Sequence, residues 1–148
     1  MSKVVQALLS GMFFTFILDF FLFLGIQQNY INSHEIALYY NILFADHQNV
    51  FIFFGFSFLL GYITLYQSSK ISLIVLIPLF ILVFSTLIKP IGNLAGELLL
   101  MKKNVILKTK NISYRGDILY IGRKNVTFYD YRLNKNLIFK KQNIEGEL

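Results

Sequence analysis

Asp19 lies in an otherwise uncharged apolar run, Val4 to Ile26, which only Gln6, Ser10, Thr15 and Asp19 itself interrupt. An ionised carboxylate deep in a bilayer costs roughly 3 kcal/mol on insertion scales, so it must face protein or water, or hold a proton. Ala7, Gly11, Thr15 and Asp19 recur at every fourth residue, which on a helix aligns three small side chains and the carboxylate along one stripe. Two chemistries fit that stripe: proton or cation handling at Asp19, or close helix packing sealed by a hydrogen bond. Residues 50–66 and 71–88, the other apolar runs, hold no Lys, Arg or His. A charged partner would have to come from another chain or from water, and packing for assembly is the expected role.

Both histidines stand beside an acid, as His34-Glu35 and Asp46-His47. Such pairs suit a divalent ion, but about 12 residues separate them, close to 18 Å along a helix, and one ion cannot use both. They are expected to be polar helix ends at headgroup depth, with no metal. The chain contains no cysteine, which excludes disulfides, thiolate metal sites and a Cys nucleophile. No phosphate-binding loop, paired carboxylates on one element or Ser-His-Asp set is visible. The chain is therefore expected to be neither an enzyme nor a cofactor protein.

The remaining chemistry is basic. Residues 102–148 carry eleven Lys and Arg against four acids, a net of +7, whereas residues 1–101 carry three Lys and four acids, a net of −1. Tyr114, Tyr120, Phe128, Tyr129 and Tyr131 interleave with these cations, as a base-stacking platform would require. A membrane-tethered domain meets anionic headgroups first, however, and each near-surface cation contributes on the order of 1 kcal/mol there. Lys102, Lys103, Lys108, Lys110, Arg123 and Lys124 are the expected contacts to headgroups or to an acidic protein partner, and nucleic acid is not expected.

These groups need a scaffold, and the composition defines it. The 148 residues are 55% hydrophobic and 17% aromatic, with a mean hydropathy of +0.57. That is too apolar for a water-soluble globule. Abundant Ile, Lys, Asn, Phe and Tyr without Trp suggests an AT-rich, bacterial genome. The expected fold is all-α in the membrane, with three transmembrane helices in residues 1–101 and a small all-β, barrel-like domain in residues 102–148. Spans are expected at 4–26, 50–66 and 71–88, the first retained rather than cleaved as a signal. Pro78 is expected to kink the third. Asn32 with Glu35 has the form of a capping box, and Ile31 can staple to Ile36, so a short interfacial helix is expected at 33–45. Gly92 and Gly96 form a GxxxG pair for close packing on a neighbour.

From Asn104 the period changes to alternation, with five short strand-like runs separated by turn material. A strand, then YRGDILYIGRKNVTFYDY, then a hairpin and a short last strand resembles the Sm-like barrel. Gly116 matches that family's glycine in a bent second strand. Asn125 stands one residue early for its asparagine, and Gly122 occupies the place of the usual acid, so the resemblance implies a barrel rather than RNA binding. Three helices followed directly by such a domain also resemble the core of small mechanosensitive channels. Pro78, Pro90, Gly92, Ala95 and Gly96 would then fall in the kinked pore helix.

Lys89, Lys102, Lys103 and Lys108 outweigh Lys3 and Lys70 across the membrane, which points to a cytoplasmic C-terminal domain in a bacterial inner membrane. The expected function is a non-catalytic integral subunit of a larger membrane assembly, such as a secretion, flagellar-motor or transport machine. The alternative is a homo-oligomeric channel gated through the β domain.

Overall fold

Helix α1 (Lys3–Ile26) starts at Ser2, whose hydroxyl accepts a hydrogen bond from the Val5 amide at 3.3 Å. The computed structural model describes residues 2–109 and 112–145. With no proline to stop it and no left-handed φ at Gly25, α1 runs on through a π-helical turn, Gln27–Ile31. The resulting 29-residue rod, Lys3–Ile31, is long and apolar enough to cross a membrane. Two bent pairs follow. Helix α2 (Tyr40–His47) meets α3 (Val50–Tyr66) at 83°, and α4 (Ser69–Ser85) meets α5 (Lys89–Leu100) at 94°. Counting each bent pair as one span brings the membrane candidates among the described residues to three.

The expected helix at 33–45 begins instead at Tyr40. Because α1 continues, Asn32 closes its last turn by donating from its amide to the Gln27 carbonyl, and it caps no new helix. Glu35 then takes a positive φ of 53°, which no helix accommodates. The third apolar helix carries Pro78 without interruption and ends at Ser85, short of the expected residue 88. Pro90 sits in the first turn of α5, where a missing N–H costs nothing.

Helix α1 lies between α3 and α4. Its Ala7, Gly11 and Thr15 are buried, and the partner face on α3 is Ser57, Leu60 and Gly61. A Cβ on Gly11 would run into the Ser57 carbonyl, and one on Gly61 into the Ala7 carbonyl, so the two backbones touch. The stripe read from sequence is thus filled within the chain. Further along α1, Leu18 packs with Leu60 of α3 and Val83 of α4. Tyr66 donates to the Lys3 carbonyl at 3.2 Å, which fixes the start of α1 and the end of α3 on the same side.

The C-terminal strands β1 (Lys102–Thr109), β2 (Ser113–Ile121), β3 (Asn125–Asp130), β4 (Lys135–Lys140) and β5 (Ile144–Glu145) form one antiparallel half-barrel in the order β4-β3-β2-β1-β5. Register shifts between Lys102 and Val105 and between Ile118 and Tyr120 curl it. Gly116 is required where β2 passes β3, since a Cβ there would strike the Tyr129 carbonyl. Leu107, Ile118, Val126 and Phe128 fill the concave side with Tyr114 and Phe139. Past the second shift, Leu119 and Tyr120 leave that core and join Phe23, Ile26, Tyr30 and Leu43 in another. The sheet and the helices therefore share a core, and the β domain is not a freely tethered unit.

Candidate functional site

The densest polar chemistry lies where the sheet meets the lower helices. Asp46 ends α2 with its side chain only 5% exposed, and the Arg123 Nε from the β2–β3 turn stands 2.6 Å from its Oδ1. The buried Tyr120 hydroxyl donates to Asp46 Oδ2 at 2.8 Å. Burial, and then the hydrogen bond and charge of Asp46, push the Tyr120 phenol well above its ordinary pKa, so it stays a protonated donor. Tyr30 donates to the Leu119 carbonyl at 2.8 Å, and Asn136 Nδ2 to the His34 carbonyl at 2.7 Å. These four contacts fasten the sheet to the α1 extension, to the turn after it at His34, and to α2.

Gly92 and Gly96 supply the other side of this junction. A Cβ on Gly96 would enter the Tyr30 ring, and one on Gly92 would meet the Thr86 carbonyl and Asn29. Asn29 Nδ2 also donates to the Thr86 carbonyl at 2.9 Å. The glycine pair is packed on the extension of α1, again inside the chain.

Asp19 lies level with the start of α3, at the lower end of the α1–α3 crossing. Its Oδ2 accepts from Gln48 Nε2 at 2.8 Å. Gln48 belongs to the link between α2 and α3, so Asp19 has a hydrogen-bond partner within its own chain. Thr15, His47 and Asn49 join them around a small cavity of about 130 Å³. An amide oxygen accepts from Gln48 as a carboxylate does, so Asp19→Asn should hold the stability within about 0.5 kcal/mol of wild type. Asp19→Leu strands a half-buried amide and should cost about 1–3 kcal/mol. Equal melting of the two variants in one detergent would refute this assignment.

The expected headgroup set does not form one patch. Lys103 pairs with Glu97 at 2.7 Å, and that hydrogen bond and charge raise its pKa. Lys102 lies beside it at the start of β1, and Lys108 near the far end of the same strand. Lys110 falls outside the described residues. Arg123 is occupied by Asp46, which leaves Lys124 next to it, beside Lys140 and Lys141 of the neighbouring strand end. Among the described residues these three lysines have no ion-pair partner. Of the interleaved aromatics, Tyr120 and Phe128 are buried and Tyr114 packs on Phe139, whereas Tyr131 is exposed beside Tyr129. Among the described residues no group of three His, Asp or Glu could hold a metal.

Sequence reasoning missed Gln48, Tyr30 and the pairing of Asp46 with Tyr120 and Arg123. Their partners lie 29 to 89 positions away, and no local pattern encodes them. Compared with known proteins, the chain matches no protein-family model, no curated protein and no solved structure.

Proposed function

We propose that this chain is a non-catalytic, three-span subunit of a larger assembly in the bacterial inner membrane, and that its work is to hold a basic β domain in a fixed pose at the cytoplasmic surface. The observation that carries this reading is the shared core of Tyr30, Leu43, Leu119 and Tyr120, locked by the Asp46 contacts. A domain that only needed to be near the membrane could hang on a polar linker, whereas Met101 alone separates α5 from β1. At about 1.5 Å per residue the 17 residues of α3 and of α4 each reach about 25 Å, close to the hydrocarbon thickness once flanking residues are added. Phe51, Ile52, Ile74 and Ile81 are exposed along them, a surface that lipid or partner helices would cover.

Native mass spectrometry of gently solubilised protein tests this. Co-purifying unrelated subunits in fixed ratio support the accessory role. A closed ring of identical chains would replace it with the channel reading.

Orientation has its own test. Lys3 and the α3–α4 turn with Lys70 share one end, while Lys89, Lys102, Lys103 and Lys108 belong to the other. The excess of cations favours a cytoplasmic β domain. A reporter active only in the cytoplasm should work when fused after Leu148 and fail when fused at Ser68. The reverse pattern would invert the topology.

A further inference from the structure

We propose that the groove between α2 and the sheet binds one anionic phospholipid drawn from the surrounding bilayer. This rests on the membrane-anchored reading above and gives it a specific ligand. The groove holds about 520 Å³, within the range of small-molecule sites. One wall comes from the segment leading through α2, apolar at Leu38, Ile42 and Ala45, with Asn41 and the Arg123-paired Asp46 beside them. The facing wall is the sheet, with Thr127 and with Ile138, which is itself 63% exposed. At its mouth Lys124 and Asn125 continue into a second hollow, where Lys140 and Lys141 stand. An apolar trough opening onto three cations without ion-pair partners among the described residues is complementary to an anion with a greasy tail.

The phosphate chemistry follows from the residue type. Lysines are compact donors suited to a phosphodiester, and Arg123, whose Nε is turned to Asp46, adds an exposed guanidinium at the same mouth. The source follows from position. Helix α2 is turned 83° from α3, so with α3 in the bilayer α2 lies along its surface. Tyr39, 79% exposed just before α2, then sits where amphipathic rings collect, at headgroup depth. Acyl chains can enter the trough at that depth while the phosphate meets the lysines. Among the described residues, none that lines the lysine hollow is aromatic, and Tyr120 of the adjoining groove is buried against Asp46, so no ring is offered there for a base to stack on.

The test uses the full chain in a neutral detergent, followed by thermal melting. Added dioleoylphosphatidylglycerol should raise the midpoint by about 5 °C, while dioleoylphosphatidylcholine and inorganic phosphate should leave it in place. Lys124→Gln with Lys140→Gln should melt as wild type without the anionic lipid and lose most of the shift. Ala45→Phe, which fills the trough but keeps every lysine, should lose it too. Native mass spectrometry of the same samples counts bound lipid directly, so a variant with lowered basal stability still gives an answer. A shift with inorganic phosphate alone, an equal shift with the zwitterionic lipid, or full retention in either variant would overturn the site. Carbonate extraction of cell membranes reads anchoring separately: a chain retained in the pellet without the lipid shift loses the site but keeps its membrane role.

Discussion

Gly11→Leu should leave a chain with no cooperative unfolding transition, and even Gly11→Ala should cost about 3 kcal/mol. The first side-chain carbon would have to occupy the space of the Ser57 carbonyl, which is backbone and cannot rotate aside. The helices must separate along their whole crossing, exposing Ala7, Thr15, Ser57 and Leu60, all buried now. Overpacking of this kind typically costs 1–3 kcal/mol, and a rigid obstacle places it at the upper end. Gly55 provides the internal control, because a Cβ there meets nothing. Gly55→Ala should be neutral or stabilise by up to about 1 kcal/mol through helix propensity. Thermal melts of both variants in one detergent decide the matter, and equal midpoints would show that α1 and α3 do not cross at these glycines.

The second large effect belongs to Asp46. Removing its carboxylate as Asp46→Ala frees Arg123 to water at little cost, because that side chain is already 71% exposed. The cost falls on Tyr120, whose buried hydroxyl loses its acceptor. An unsatisfied buried donor costs about 1–3 kcal/mol, or up to roughly a hundredfold in a local opening equilibrium. Amide exchange in residues 40–48 and 119–125 should accelerate by about that factor while the α1–α3 crossing stays protected. Tyr120→Phe, which deletes the donor as well, should accelerate exchange far less. Unchanged exchange in Asp46→Ala would mean that the junction is held by its apolar core alone.

The helices were legible because long uncharged runs broken by polar links leave few alternatives. The run at residues 50–66 corresponds to α3, Val50–Tyr66, capped by Asn49. The strands were legible because alternation is local. Residues 27–49 were misread because two local rules compete there. A capping box at Asn32 is a valid start signal, but a helix already in progress satisfies the same amides, and continuation won. The shared core had a faint signature in Ile118-Leu119-Tyr120-Ile121, four apolar residues in a row where a half-exposed strand should alternate. Such a run marks a strand covered on both faces, which a small barrel with a solvated outer face does not need. The glycine and small-residue stripes were visible, but whether their partner was internal could not follow from periodicity, which fixes a face and not its neighbour.

Helix α1 and its π-helical turn form a single rod of 29 residues, about 43 Å long, with α3 gripping its upper part and the sheet gripping its last turn through Tyr30. Mechanically this is a lever without a joint. Transmembrane helices adjust their tilt to the thickness of the bilayer around them. If the chain spans a bilayer as proposed above, such a tilt would meet no break in this rod and would swing the β domain through the same angle. A thinner or thicker membrane would then reorient the basic surface that the chain presents to its surroundings.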